Sequence, residues 1–488
     1  MKSLIIVGGG TTGLTTALIL KKRFPNIKIT IIKSDKIGIL GVGEGTTEHW
    51  IDFCNYCELS YLDIIKKCDA TVKLGIVFEG FTPEKYIHCV TPVLANKTVL
   101  AQYHAGFAYY ISNNINQTEM SDQNILVNKI HLNHFVNKTS PSNQFHFNTF
   151  KLNEHLVQIC KEKDINIVTD DILEVNLNET GYIKNIKGKI NNYTSDFFID
   201  CTGFQKILIS KLGAKWQSYK KYLKMNEAIA FPTKDTEEYP LYTKIKAMSS
   251  GWIWRTPVYG RWGNGYVYDN NYINADQAKK EVESVLKHDI EIFKNVKFDP
   301  GCLDRPWIKN CLALGISASF VEPLEASTIS VSINQTFLLT HLLENYNEND
   351  IKEYNNKTKH IMENIRDFVF IHYLSKKNDT QFWKNIKDVE MPETLKFNME
   401  KWQYRLPITE DFKETYYYVF WPANFISVMY GLNLFNKKNI KKEYLSYSKE
   451  IRTYVESCIK QEKEEYKLPR INHKEYLQLI KNENSINK

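Results

Sequence analysis

Cysteine is sparse and scattered, nine residues in a chain of 488. Disulfide-built secreted domains carry dense, even sets, so this pattern points to reduced thiols and a cytoplasmic setting. No run approaches the roughly 18 apolar residues that a membrane-spanning helix needs. Met1-Lys2 leads at once into an apolar run, with no secretory leader pattern. Neither sign of charge dominates. The balance of 63 basic against 56 acidic residues leaves +7, too mild over this length to indicate nucleic acid. With 43% apolar and 24% charged residues, the chain is not disordered, collagen-like or a coiled coil. Metal-ligand clusters are also missing. Cys54 and Cys57 form a lone C-x-x-C in a segment that reads helical, where the spacing merely puts two thiols on one face. His131 and His134 have no further ligand nearby in the sequence.

What is present reads first as α/β. Leu4-Ile5-Ile6-Val7 ends in glycines, residues 15–24 carry a helical apolar pattern, and residues 27–32 read as a second strand. Strand, glycine turn, helix and strand make a βαβ unit. Residues 69–81 read as one strand, 149–163 as an amphipathic helix, and 252–268 as a strand pair turning near Gly260. Strands are also expected within 165–199. From about residue 331 helical patterns dominate. Residues 344–359 read as a polar connection, and the stretch from about residue 460 as a solvated helix with a frayed tail. The expected division is an α/β region, 1–345, followed by a mostly helical region, 346–488.

Gly8-Gly9-Gly10-Thr11-Thr12-Gly13 is G-x-G-x-x-G between a strand and a helix, the context a dinucleotide site requires. Gly8 permits the tight turn, Gly10 the approach of a pyrophosphate, and Gly13 close packing of helix on strand. The helix start offers N–H groups and partial positive charge to the phosphates. Lys33 stands where an acidic residue usually holds the ribose, with Asp35 two residues on. Further glycine turns lie at Gly41-Val42-Gly43-Glu44-Gly45-Thr46, at Asp200 to Phe204, and at Gly315. Turns spread over 300 residues suit one extended ligand, and FAD is such a ligand.

Taken together, these segments resemble the flavin-dependent halogenases, the tryptophan-halogenase branch in particular. Gly41 to Thr46 matches the family's G-V-G-E-[AG]-T loop. Cys68-Asp69-Ala70-Thr71-Val72-Lys73-Leu74-Gly75-Ile76 matches the segment of its essential lysine. Gly251-Trp252-Ile253-Trp254-Arg255-Thr256-Pro257 resembles W-x-W-x-I-P, with Thr256 in place of Ile. Trp307 to Cys311 and Phe320-Val321-Glu322-Pro323-Leu324-Glu325-Ala326-Ser327-Thr328 match the segments around its active-site glutamate. The order holds to about residue 335. The resemblance implies an α/β, FAD-binding fold of the monooxygenase/halogenase type. It assigns cofactor contacts to Gly8, Gly10, Thr11, Thr12, Gly13, Gly41, Val42, Gly43, Glu44 and Gly315. Lys73 and Glu325 become the catalytic pair, Ser327 and Thr328 the halide site, and Trp252 and Trp254 a shield around the flavin. Two core tryptophans would show the same spacing. Thr328 departs from the Gly or Ser usual there, which leaves the halide open.

The implied chemistry is coherent. Reduced FAD (FADH2) with O2 and halide gives hypohalous acid, which a lysine amine can hold near an electron-rich aromatic substrate. Most lysines are solvated, but the apolar neighbours of Lys73 suit a desolvated amine. Only one nucleotide fingerprint is present, so a separate NAD(P)H-dependent flavin reductase is the expected partner. Membrane and nucleic acid are not expected, and both a monomer and a homo-oligomer remain open. The competing reading is an FAD-dependent monooxygenase of the same superfold. Tyr418, Phe420, Trp421 and Phe425 suit either a substrate wall or core.

Overall fold

A computed structural model describes residues 1–39, 41, 44–89, 100–234, 238–413 and 416–486. Ser3–Val7 runs parallel between Lys28–Lys33 and Phe197–Asp200 at the centre of a six-stranded sheet. Leu4 to Val7 are all buried, as expected of a parallel strand covered on both faces. The helix Thr11–Arg23 packs against the helices Thr149–Glu162 and Thr328–Leu342. This is the α/β architecture expected from the sequence.

A seven-stranded, mostly antiparallel sheet contains the hairpin Gly251–Val258 and Arg261–Tyr268. Its turn includes Gly260 at φ +92°, where glycine escapes the Cβ clash of the left-handed region. Helices predominate after residue 328. The largest buried cluster joins Phe78 and Trp252 to Phe368, Trp383 and Phe425, so the helical third shares a core with this sheet.

Three expectations are corrected. Residues 69–81 are two strands in different sheets. Thr71–Lys73 joins a three-stranded sheet beside Gln144–Phe147, while Gly75–Glu79 joins the seven-stranded one. The switch falls at Leu74, whose N–H donates to the Leu241 carbonyl at 2.6 Å. At Gly75 a Cβ would lie 2.6 Å from the His88 carbonyl oxygen, so only glycine fits this crossing.

Residues 344–359 are not a connection. The helix Glu348–His372 begins at a reciprocal cap between Asn347 and Asp350, which satisfies its first N–H groups. Its Asn and Lys residues flank a buried stripe of Ile351, Tyr354 and Thr358. The stretch after residue 460 is not a frayed tail either. Arg470–Asn472 pairs antiparallel with Lys129–His131. The helix that follows buries His473, Tyr476, Leu477 and Ile480 and packs on Tyr61–Lys67. A short apolar stripe at helical spacing outweighs the charged composition around it.

Candidate active site

The glycine turn has the geometry its sequence requires. Gly8 sits at φ +122°, and a Cβ there would lie 2.2 Å from the Cys201 carbonyl oxygen. A Cβ on Gly13 would lie 2.0 Å from the Gly8 carbonyl oxygen, so helix and strand touch through these two residues. Gly10 caps the helix Thr11–Arg23, and nothing lies within 4 Å of its Cβ position. Open space over a helix start with unpaired N–H groups fits a pyrophosphate, and the residues present therefore fit FAD. Gly315, at φ +62°, packs against Thr12. Gly41 is buried against Thr149. Val42 and Gly43 lie outside the described residues, and Glu44 is described only as the start of the strand Glu44–Gly45. Lys33 is 3.1 Å from Asp35 in an exposed ion pair.

Asp200, by contrast, is a structural knot beside this turn. Its carboxylate accepts from the N–H groups of Thr202, Leu208 and Ile209 at 2.8–3.0 Å and from the Thr202 hydroxyl at 2.7 Å.

A column of hydroxyls connects the nucleotide turn to the glutamate segment. Thr12 meets Ser332 at 3.3 Å, Thr16 meets Thr336 at 3.1 Å, and Thr47 bonds Ser330. The helix Thr328–Leu342 is thus fixed along the fingerprint helix. Just before it, Pro323–Glu325 forms one 3-10 turn, closed by Ala326 at φ +52°. Ser327 is buried and Thr328 half-buried. The first N–H groups of this helix have no intrahelical acceptor.

Lys73 is completely buried. Its Nζ donates to the Thr46 carbonyl at 2.7 Å, and a Cβ on Gly45 would lie 3.6 Å from it. Burial pulls the Lys73 amine down to about 8, against the attraction of Glu325. Thr46 is itself fixed, because its N–H donates to the Phe145 carbonyl and its Oγ1 accepts from the Phe145 N–H, each at 3.0 Å. His146 beside it bridges Thr71 and Thr243 at 3.1 and 2.8 Å. Burial, and then Lys73, hold that imidazole well below its usual range.

Glu325 is also buried, and two histidines that sequence reasoning missed flank it. His88 Nδ1 lies 2.7 Å from Oε2, and His372 Nε2 lies 2.9 Å from Oε1. Burial alone would raise this carboxyl; His88 and His372 outweigh it and bring it down to about 2. His88 lies within the strand Tyr86–Cys89 and His372 ends the long helix Glu348–His372, each amid apolar neighbours. Sequence alone reads such a histidine as a core residue.

Trp252 and Trp254 do share a face, with ring centroids 6.1 Å apart. The indole N–H of Trp252 donates to the Tyr373 hydroxyl at 3.1 Å, and Tyr373 bonds the buried Glu322. Burial pushes the Glu322 carboxyl up to about 7. Of the aromatic cluster, Tyr418, Phe420 and Phe425 are core, while Trp421 is exposed. Cys54 and Cys57 are buried free thiols on one helix face, with burial pushing Cys57 up to about 12. Among the described residues, no cluster of three His, Cys, Asp or Glu is placed to hold a metal. Among the same residues, no helix is long and apolar enough to cross a membrane.

Comparison with known proteins agrees with this geometry. Residues 3–443 match the family model described as tryptophan halogenase. The tryptophan 6-halogenase SttH of Streptomyces toxytricini is 28% identical over 472 residues, 88% of each chain. The crystal structure of a tryptophan halogenase from Shewanella frigidimarina superimposes with a TM-score of 0.89 at 24% identity, covering 99% of this chain and 98% of that one. Xcc4156, a flavin-dependent halogenase from Xanthomonas campestris, gives a TM-score of 0.82 at 25% identity over 98% of both chains. With the family matched along nearly its whole length, the chain belongs to the tryptophan halogenases, a family of flavin-dependent enzymes.

Proposed function

We propose that this enzyme halogenates a free, electron-rich aromatic compound, with Lys73 and Glu325 as its catalytic pair. The observation that carries the reading is Lys73: a fully buried amine, lowered to about 8 and electrostatically coupled to the buried Glu325. Gly8, Gly10, Gly13 and the helix start at Thr11 and Thr12 would hold the pyrophosphate of FAD. Reduced flavin, when bound, supplies hypohalous acid from O2 and halide. The Ser327 and Thr328 N–H groups would bind the halide.

Lys73 then holds the hypohalous acid through Nζ. The halogen bonds to the ring carbon as its bond to oxygen breaks. The departing hydroxide takes a proton from Lys73 and leaves as water. Glu325 accepts the ring proton, and transfer of that proton back to Lys73 resets the pair. The names of the relatives support tryptophan or a related indole as the substrate class. Trp252 and Trp254 would shield the flavin, and the hydroxyl column keeps the glutamate turn in register with the nucleotide turn.

A halide-by-arene panel with an added NAD(P)H-dependent flavin reductase tests this reading. Halogenated product that requires chloride or bromide is expected, whereas hydroxylated product without halide dependence would favour a monooxygenase. NADH alone, without the reductase, should drive no turnover, because the single fingerprint is assigned to FAD; full-rate turnover with NADPH alone would overturn that assignment. Glu325→Gln should lower product formation by about 10²–10⁴-fold while leaving some product and leaving flavin reoxidation unchanged. Mass-spectrometric product yield per flavin oxidised measures both.

A further inference from the structure

Glu325 has two unlike carboxylate oxygens. Oε2 receives the His88 Nδ1–H at 2.7 Å. Oε1 lies 2.9 Å from His372 Nε2, but the two are not aligned for a hydrogen bond, and both atoms are buried without one. The protonation of His88 follows from its other neighbour. Asn424 Oδ1 accepts the Trp421 backbone N–H at 2.6 Å. Its Nδ2 therefore faces His88 Nε2, at 3.1 Å. An amide nitrogen only donates, so Nε2 must accept and the ring proton must reside on Nδ1. His88 thereby points its Nδ1–H at Glu325 Oε2.

Resting on the halogenase reading above, we propose that His88 is a positioning residue for Glu325. Locked by Asn424, its N–H holds Oε2 and favours the ionised carboxylate, leaving Oε1 on the side of His372. The groups facing Glu325 come from several elements. Lys73 comes from Thr71–Lys73, Tyr86 and His88 from Tyr86–Cys89, and His372 from Glu348–His372. Glu322, on the adjoining residues, is occupied by Tyr373 and Trp252. The other nitrogen of His372 contacts the Tyr86 hydroxyl at 2.9 Å. Of the two histidines, only His88 makes an aligned bond to the carboxylate. The rings of Phe368 and Phe420 lie 5.1 and 6.3 Å from its own and leave it little room to turn.

His88→Phe removes the N–H that bonds Oε2 and leaves His372 alone against burial, so the Glu325 carboxyl should shift upward. His88→Asn places an amide nitrogen close to the lost Nδ1 and should restore the ionised form. The direct readout is the infrared stretch of a protonated carboxyl in flavin-free protein at about pH 6, assigned to Glu325 by its loss in Glu325→Gln. We expect the band in His88→Phe, and neither in the parent nor in His88→Asn. In turnover, His88→Phe should lose about tenfold of its product yield per pH unit below the raised pKa, recovering as pH rises, while flavin reoxidation is unchanged. The same loss at every pH, or an infrared band that does not differ between the parent and His88→Phe, would overturn the proposal. If His88→Phe does not fold, Asn424→Leu keeps the ring but frees its tautomer, and the same spectra decide. A parent enzyme that makes no halogenated product at any pH would refute the halogenase reading instead, and the infrared comparison, needing no turnover, would still settle the role of His88.

Discussion

Lys73→Met is expected to abolish halogenated product, by at least about hundredfold, while reduced flavin still reacts with oxygen at a near-normal rate. In the proposed mechanism the amine acts on the oxidant after the flavin has released it, so its loss uncouples the two halves of the reaction. Stopped-flow flavin oxidation run alongside product analysis separates them; a Lys73→Met enzyme that still halogenates would remove the central residue of the mechanism. Stability should move the opposite way. Burial lowers this amine from 10.5 to about 8, which corresponds to about 3 kcal/mol against the folded state. Below about pH 8 both folded and unfolded chains hold the proton and that cost is fully present. Between about 8 and 10.5 only the unfolded chain holds it, so this term makes stability rise with pH. Methionine fills the same volume without the charge. The variant should therefore melt higher at neutral pH and lack that rise, which calorimetry across the window would register. An unchanged melting temperature would contradict the burial cost assigned here.

Gly10→Val and Gly13→Val should separate binding from folding. A side chain at Gly10 enters open space, so the folded chain should lose only about 1 kcal/mol, the cost of a poor helix cap. That space is where the pyrophosphate would lie, and FAD affinity should fall by about hundredfold, the equivalent of one or two charge-assisted hydrogen bonds. At Gly13 the new Cβ would lie 2.0 Å from the Gly8 carbonyl oxygen. Helix and strand must part, costing about 3 kcal/mol. Equilibrium dialysis with FAD and a thermal melt on each variant would test the pair. Normal FAD binding by Gly10→Val would place the cofactor elsewhere.

What the sequence revealed was mostly local. Gly8, Gly10 and Gly13 are legible because a turn and the helix after it are specified within six residues. The face shared by Trp252 and Trp254 follows from strand alternation alone. The roles of Lys73 and Glu325 are legible only through the resemblance; the apolar neighbours of Lys73 suit a desolvated amine, but most lysines are exposed. His88 and His372 were illegible for another reason. His88 reaches Glu325 across 237 positions, and each histidine sits in an apolar segment that a core would explain. In residues 344–359 the polar composition masks the period: Ile351, Tyr354 and Thr358 are spaced for one helix face, and Asn347 is its cap.

The strand that carries Lys73 has a fastener outside the residues matched by the family. The Val72 N–H donates to His473 Nε2 at 3.1 Å, across 401 positions, and His473 Nδ1 contacts the Tyr239 carbonyl at 2.8 Å. During synthesis, at about 5–20 residues per second, tens of seconds separate the emergence of Val72 from that of His473. For the later part of that interval all six strands of the sheet around the glycine turn are already synthesised, while the strand of Lys73, which can already pair with Gln144–Phe147, still lacks this last bond. The last bond of the lysine strand is thus available only after every strand of the sheet that carries the glycine turn has been made.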